Sequence, residues 1–582
     1  MDDEGQDLRA GRTGERHGAN EGQGRDEDGG GAGGPDGALS SGLGTGLGVP
    51  APEGEGQAAP GDPVPPPALV EFMSGGWAPA DPVVEAPAAA APFHAARRQK
   101  LSARFPGDWL VVPTGGLKVR ANDTDYRFRP GTDFAWLTGC QEPDCVLVLD
   151  PSHGGGHMAT LYAAPRSDRS TPAFFTDRRY GELWVGPRLG LEETSTLLGI
   201  STASLEDLPS ALKAAEGSTV RVVRALDARV DDLVDPAVDG DGAGDVAPAG
   251  EVAPAGDAGP AGAAAPAGDA GPAGIGGAGD QPGGDAVGAT DSARVSADEE
   301  LSAALSELRL VKDDHEIDCL ADAIAATVHG FEDVVRALPD AQGYSERWVE
   351  GTFNRRARTE GNDVGYDTIA ACGHHACTLH WVRNDGPVRP GELLLLDAGV
   401  EGPELYTADV TRTIPVSGRY SPAQREVYEL VWRAQQAALA ECRPGQAFLA
   451  PHRAAMRVLT EWLVDRSILT CSVEEALETE HRFYARYTLH GTSHMLGLDV
   501  HDCARARSVW WEGDLAAGMV LTVEPGCYLQ PDDLTVPERY RGIGVRIEDD
   551  VLITGDGHRV LSEALPTRAD QVEDWMAGLL QG

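Results

Sequence analysis

Residues 236–292 of this 582-residue chain reiterate APAG and GPAG units and contain no Lys or Arg. Such a stretch carries too little apolar surface to offset the entropy of ordering its backbone, so it reads as a flexible, extended insertion. Residues 1–92 have the same character, with 16 acidic and 4 basic side chains scattered among Gly, Ala and Pro. They read as a disordered, solvated tail. About half of the 73 glycines and 40 prolines fall in these two regions, and folded structure is expected over about 93–235 and about 297–582.

Charge then removes whole classes of function. A formal net charge of −44 argues against a nucleic-acid binder, which needs a basic footprint, and against docking on an anionic membrane face. No apolar run approaches the roughly 20 residues of a membrane-spanning helix. The opening MDDEGQDLRAGRTGERHGAN lacks the basic-then-apolar order of a signal peptide. The nine cysteines are scattered; the nearest pairs, Cys140/Cys145 and Cys372/Cys377, lack zinc-knuckle spacing. A reduced, cytoplasmic protein is the expectation.

In the first block a helix is expected over 93–105, followed by strand-like runs at 109–113 and 145–150 that alternate with helical stretches. That pattern predicts a small α/β domain. Apolar residues at helical spacing (Leu305, Leu308, Leu310, then Ile317, Leu320, Ile324) make 297–338 strongly helical. From about 363 strands dominate, interrupted by helical segments near 421–440 and 449–464, so the whole reads as α+β. The domain division is expected as 1–92 (tail), 93–308 (N-terminal domain with the insertion) and 309–582 (catalytic domain).

The chemistry gathers in the last 200 residues. In GELLLLDAGVEGPELYTADVTRTIPV an apolar strand ends at Asp397, a turn follows at Gly402-Pro403, and a second strand carries Asp409. A hairpin closing there makes the two aspartates cross-strand neighbours on one face. Two adjacent carboxylates repel, so one holds a proton or a cation lies between them. The plain alternative is that Asp397 caps a turn and Asp409 faces water. LHGTSHMLGLDVHD places His490, His494 and His501 within twelve residues; with no Glu between the first two, H-E-x-x-H chemistry is absent. MVLTVEPGCYL puts Glu524 inside an apolar strand that Pro525-Gly526 terminates, and a carboxylate there needs a partner. In VRIEDDVLIT, Arg546 and Glu548 share one face, where Glu548 is either a site residue or a solvent-face partner of Arg546. Together Asp397, Asp409, His494, Glu524 and Glu548 offer four carboxylates and one imidazole, whose charge two divalent ions would neutralise. An oxygen-rich set without thiolate suits Mn²⁺, Co²⁺ or Zn²⁺, and a paired-metal site of this kind points to a hydrolase.

These segments, with RYRGIGVRIEDDVLIT, resemble the dinuclear-metal motifs of the pita-bread peptidases, specifically aminopeptidase P (Xaa-Pro aminopeptidase), over about 93–235 and 297–582. The resemblance implies a small α/β N-terminal domain before a pita-bread catalytic domain. It implies that Asp397 chelates one ion, that Asp409 and Glu548 bridge both, and that His494 and Glu524 complete the other. His380, 17 residues before Asp397, is similar to the family's substrate-binding histidine. His490 and His501 resemble the histidines that contact substrate and stabilise the transition state. Arg546 resembles the arginine holding the bridging carboxylates, and Tyr528 a site tyrosine. Trp184 matches a tryptophan offered to the site by a neighbouring subunit, or else is a core or interface anchor. The substrate implied is a peptide with proline second, cleaved before that proline, with two divalent ions, Mn²⁺ first, and a homodimer or homotetramer. Prolidase, which shares the motifs but takes Xaa-Pro dipeptides, is the near alternative. A creatinase-like hydrolase lacks the metals, and a metal-free interaction module is the alternative from another class. Asp397 and Asp409 stand 12 residues apart, one more than the family's usual spacing; the extra residue fits the turn at 401–405.

Overall fold

The structure, a computed structural model, describes residues 65–78, 84–122, 124–151, 154, 156–235, 286–506 and 513–581, with the backbone alone over 286–295. Most of the expected tail, and the expected insertion as far as residue 285, lie outside the described residues.

At their inner edges both expectations need correcting. Helix α1 (Pro67–Ser74) opens on a proline and buries none of its residues. Trp77 just beyond it packs edge-on against Phe174 at 5.6 Å and lies under the Arg169 guanidinium at 4.7 Å. This aromatic anchor, with the Ala88 N–H donating to the Leu197 carbonyl at 2.8 Å, therefore docks part of a segment whose average composition reads as unfolded. At the far side of the insertion, helix α4 (Ala286–Arg309) already begins inside the expected 236–292 stretch.

The first block opens with helix α2 (Ala91–Arg104) and strand β1 (Trp109–Pro113). Helix α3 (Thr132–Thr138), β2 (Val146–Asp150), β3 (Met158–Ala163), β4 (Ser201–Ser204) and β5 (Val220–Val222) follow. They form a five-stranded sheet of order β4-β3-β2-β1-β5, antiparallel across β1–β2 and β2–β3, parallel at both edges. Every residue of β1 is buried, because α2 and α3 cover one face and short helices the other.

The helical region resolves into α4 and α5 (Asp314–Ala341), separated by 310–313. Asp313 ends the linker because its side chain and that of Glu316 form a reciprocal capping box. Along α5, Leu320, Ile324, Phe331, Val334, Val335 and Leu338 recur at helical spacing and are buried. Gly330 is fixed by close packing, since a Cβ there would meet the Phe353 ring at 2.6 Å. Phe353 belongs to α6 (Glu346–Glu360).

Strands β6 (Ile369–Cys372), β7 (Leu393–Ala398) and β8 (Val410–Pro415) form an antiparallel sheet with β7 in the middle. Helices α7 (Pro422–Leu439) and α8 (Ala450–Asp465) pack on each other. Strands β9 (Val520–Val523), β12 (Asp549–Ile553) and β13 (His558–Val560) make a second antiparallel sheet, and β10 (Gly526–Leu529) pairs separately with β11 (Ile543–Arg546). Helix α9 (Ala569–Gln581) closes the described chain. The expected α+β architecture is observed.

One core joins the two blocks, uniting Leu101, Phe134 and Trp136 with Leu305, Leu320, Tyr406, Leu496 and Val520. Charge reinforces that seam. Arg97, 1% exposed, donates to Asp313 at 2.9 Å, while Trp136 and Tyr406 both donate to Glu316 at 3.1 Å. Beside them His94 is buried, its Nδ1 2.9 Å from the Trp136 carbonyl and its Nε2 without a partner. Burial, reinforced by Arg97 and Arg98, lowers its pKa to about 4. The unfolded chain therefore takes up a proton below its ordinary 6.5 that the folded chain refuses, and stability falls between pH 6.5 and 4 by about 3 kcal/mol. His94→Asn is expected to remove that share of the pH slope in denaturant titrations run from pH 7 to 4; an unchanged slope would refute it.

Candidate metal centre

Strand β7 is apolar and wholly buried, and its pairing with β8 sets Asp397 opposite Thr411. Asp409 is thus the diagonal neighbour of Asp397 on the same face, rather than the residue directly opposite. The link between the strands passes through Leu405 at φ 68°. Gly399 is required where the strands close up, because a Cβ there would lie 1.6 Å from the Ala408 carbonyl oxygen.

The two carboxylates share a donor that the sequence did not single out. The Tyr366 hydroxyl lies 2.6 Å from Asp397 Oδ1 and 2.5 Å from Asp409 Oδ1. Burial, then the charges of Asp397 and Asp409, pushes its pKa well up, so the phenol keeps its proton. Arg546, buried at the end of β11, donates to Asp397 Oδ2, to the Tyr528 hydroxyl at 2.9 Å and to Thr411 Oγ1 at 3.2 Å. Thr411 in turn donates to Glu548 Oε2 at 2.6 Å, and Arg412 donates to the Glu548 carbonyl at 2.5 Å. Glu548 is 2% exposed, which removes the reading of it as a solvent-face residue.

Glu524 sits where β9 gives way to Pro525. The strand does not simply end there; it resumes as β10 in a different sheet, since Pro525 supplies no ladder donor. The histidines lie on an irregular segment held by an isolated bridge from Met495 to Leu521, as a loop expectation requires. His494 Nε2 stands 3.2 Å from Asp409 Oδ2 and 3.7 Å from Glu524 Oε1. His490 Nδ1 is 3.3 Å from Glu524 Oε2, and its Nε2 is 2.7 Å from the Tyr528 hydroxyl. His501 meets His494 edge-on, ring centroids 4.3 Å apart.

Electrostatics shows what this cluster needs. Burial raises the Asp409 and Glu548 carboxyls, and their carboxylate neighbours raise them further. Burial opposes ionisation of His494, yet its contact with Asp409 and the Glu524 charge lift it to about 9. Glu524 moves the other way, to about 2, because His490 and His494 outweigh its burial. One ligand atom each from Asp409, His494 and Glu548 lies within 4.8 Å of the others, close enough for a single cation to touch all three. Asp397 joins them through Tyr366, and Glu524 through His494.

Of the remaining expected site residues, Tyr528 is buried on β10 within this network. His380 is exposed on the loop after Gly373–Cys377, and its charge helps to lower the His501 pKa, behind burial and His494. Trp184 is not brought into the cluster by its own chain: 54% exposed in the short helix Glu182–Val185, it donates to the Phe175 carbonyl at 2.9 Å and stacks under Arg178. Tyr366 and Arg412 were not flagged by sequence; Arg412 was legible only as an odd cation in an apolar strand, and Tyr366 carried no local signal.

Residues 318–555 match the model of metallopeptidase family M24, and residues 94–223 that of the aminopeptidase P N-terminal domain. Xaa-Pro aminopeptidase 1 of Streptomyces coelicolor is 49% identical over 512 residues, which cover 88% of this chain and 92% of the relative. This chain belongs to the Xaa-Pro aminopeptidases. The Escherichia coli Xaa-Pro aminopeptidase is 30% identical over 502 residues, covering 82% of this chain and 96% of its own. Among solved structures, Pseudomonas aeruginosa aminopeptidase PepP superposes with a TM-score of 0.67 at 28% identity, covering 84% of this chain and 99% of that one. Escherichia coli aminopeptidase P with the inhibitor Pro-Leu gives 0.65 at 27% identity, with the same coverage. The Xaa-Pro aminopeptidase fold, an N-terminal domain before a pita-bread catalytic domain, is the one described above.

Proposed function

We infer that the cluster around Asp409 holds two divalent cations, and that the chain uses them to release the N-terminal residue from peptides whose second residue is proline. The observation that carries this is the convergence of Asp409, His494 and Glu548 within 4.8 Å, in a pocket where burial leaves the carboxylates short of positive charge. The donor set fits: four carboxylates and one imidazole, with no thiolate, match two hard or borderline divalent ions, Mn²⁺ first and Co²⁺ or Zn²⁺ as alternatives. Asp397, Asp409, His494, Glu524 and Glu548 would hold the ions, with Asp409 and Glu548 at the centre of the set. Bound there, such ions polarise a carbonyl and make water ionise near neutral pH.

The protein's own groups supply the rest. Tyr366, Arg546 and Thr411 fix the carboxylates in place, and Arg412 holds the Glu548 backbone. An Xaa-Pro bond has no N–H, so enzymes that grip that donor fail on it. Here recognition falls to side chains, His380 and His490 at the cleft and Tyr528 behind them. His501 donates to the carbonyl oxygen as it gains charge, and Glu524 takes the water proton and delivers it to the prolyl nitrogen. Trp184, exposed although its indole N–H is taken by the Phe175 carbonyl, suits insertion of its ring into the cleft of a second copy in a homodimer or homotetramer. Nine unpaired cysteines support a reducing, cytoplasmic location, and the break at 310–313, just past the expected division at 308/309, serves as the domain boundary.

The N-terminal domain favours the aminopeptidase over a prolidase. With Mn²⁺, an Xaa-Pro-Xaa tripeptide is expected to be cleaved far faster than an Xaa-Pro dipeptide, and a chelator to abolish both reactions. Dipeptide preference would make the chain a prolidase; cleavage indifferent to chelation would overturn the metal reading.

A further inference from the structure

Outside the cluster, one buried carboxylate is used in an unusual way. Glu346, the first residue of α6, has no exposed surface. Its Oε1 accepts from the Cys372 N–H at 2.7 Å and stands 2.8 Å from His375 Nδ1. Its Oε2 accepts from the Trp381 indole at 2.8 Å and from the Gly386 N–H at 2.6 Å. The Glu346 N–H returns a bond to the Gly386 carbonyl at 2.9 Å. One side chain therefore grips both ends and the middle of segment 372–386, the segment that carries His380.

Further contacts hold the same segment in place. His375 and Trp381, both bonded to Glu346, stack face to face at 3.9 Å. Gly386 must lack a side chain, because a Cβ would meet His375 at 2.3 Å and Glu346 Oε2 at 2.8 Å. Asn384, buried at φ 48°, accepts from Ala370 N–H at 2.9 Å and donates to the Thr368 carbonyl at 2.8 Å, which ties the loop to β6. Strand β6 pairs with β7, so that Ile369 lies opposite Asp397. On the other side Gln530 donates to the Cys377 carbonyl at 2.8 Å, anchoring the segment beside Tyr528. His380 itself has no hydrogen bond among the described residues, so its position is inherited from this scaffold.

We propose that Glu346 is a positioning residue for substrate binding: its carboxylate clamps segment 372–386 and thereby holds His380 at the cleft. The proposal rests on the substrate role given to His380 above. A carboxylate suits the task because each of its oxygens accepts two donors, whereas an amide would turn an N–H₂ toward two of them. Displacing a binding group by about 1 Å can cost on the order of 10²-fold in rate.

A double-mutant cycle with a proline-second tripeptide tests this in the metal-loaded full chain. Glu346→Gln is expected to lower kcat/KM by about 10- to 100-fold, mainly through KM, with bound metal unchanged. His380→Ala is expected to do the same, and the double variant to be no worse than His380→Ala alone. Trp381→Phe, which removes one donor and leaves the carboxylate, should shift KM several-fold in the same direction if Glu346→Gln folds poorly. Multiplying effects in the double variant, or unchanged KM in both Glu346→Gln and Trp381→Phe, would overturn the proposal. If His380→Ala alone leaves KM unchanged, the substrate role of His380 fails, and any Glu346 effect is then structural.

Discussion

Replacing Asp409 with alanine is expected to remove bound metal and to lower kcat/KM on a proline-second peptide by at least about 10³-fold, equivalent to roughly 4 kcal/mol. Asp409 is the residue through which the cluster is joined: it touches Tyr366 and His494, and its N–H donates to Asp550 at 3.1 Å. Without it Glu548 and His494 no longer share a third ligand atom. The fold should survive, because burial disfavours the Asp409 charge and the metal-free protein gains little from it. In chelator, wild type and variant should therefore unfold within a few degrees of each other, and added Mn²⁺ should stabilise only the wild type. Two metal equivalents and full activity in the variant would sink the assignment.

Asp502→Ala is expected to act on stability, by about 3–5 kcal/mol. Asp502 is 1% exposed and accepts from both Arg309 and Lys312 at 3.1 Å. Burial raises its carboxyl, but Lys312 and then Arg309 outweigh that and bring it down to about 2. Since the unfolded value is the ordinary 3.8, this contribution is whole above pH 3.8 and is lost as pH falls toward 2. Protonation alone removes about 2 kcal/mol. Truncation costs more because it also strands Lys312, which keeps the Arg309 carbonyl at 2.7 Å and the Cys503 sulfur at 4.0 Å but no carboxylate within reach, while Arg309 retains Asp133. Adding Lys312→Met should recover a large part of the loss in urea titrations; no recovery would mean that packing, not stranded charge, sets the cost.

The buried carboxylates of the cluster were legible because each is announced locally. An aspartate ending the run LLLL and a glutamate following LTV are charged residues where periodicity demands burial, and such positions need a partner whatever the fold. Apolar spacing likewise marked the helices around Leu320 and near 421–440 and 449–464. Local pattern could not identify the partners. Tyr366 lies 31 residues from Asp397 and 43 from Asp409, and Asp502 lies 190 from Lys312. Each pairing is chosen by which elements the core brings together, and nothing in the neighbouring sequence encodes it. For the same reason Trp77 could be a docked anchor inside a segment that averages as unfolded. Sequence set what each strand must bury and what charge it must carry inside; only the packed structure decided which groups neutralise that charge, because neutralisation at 3 Å is a property of long-range contact.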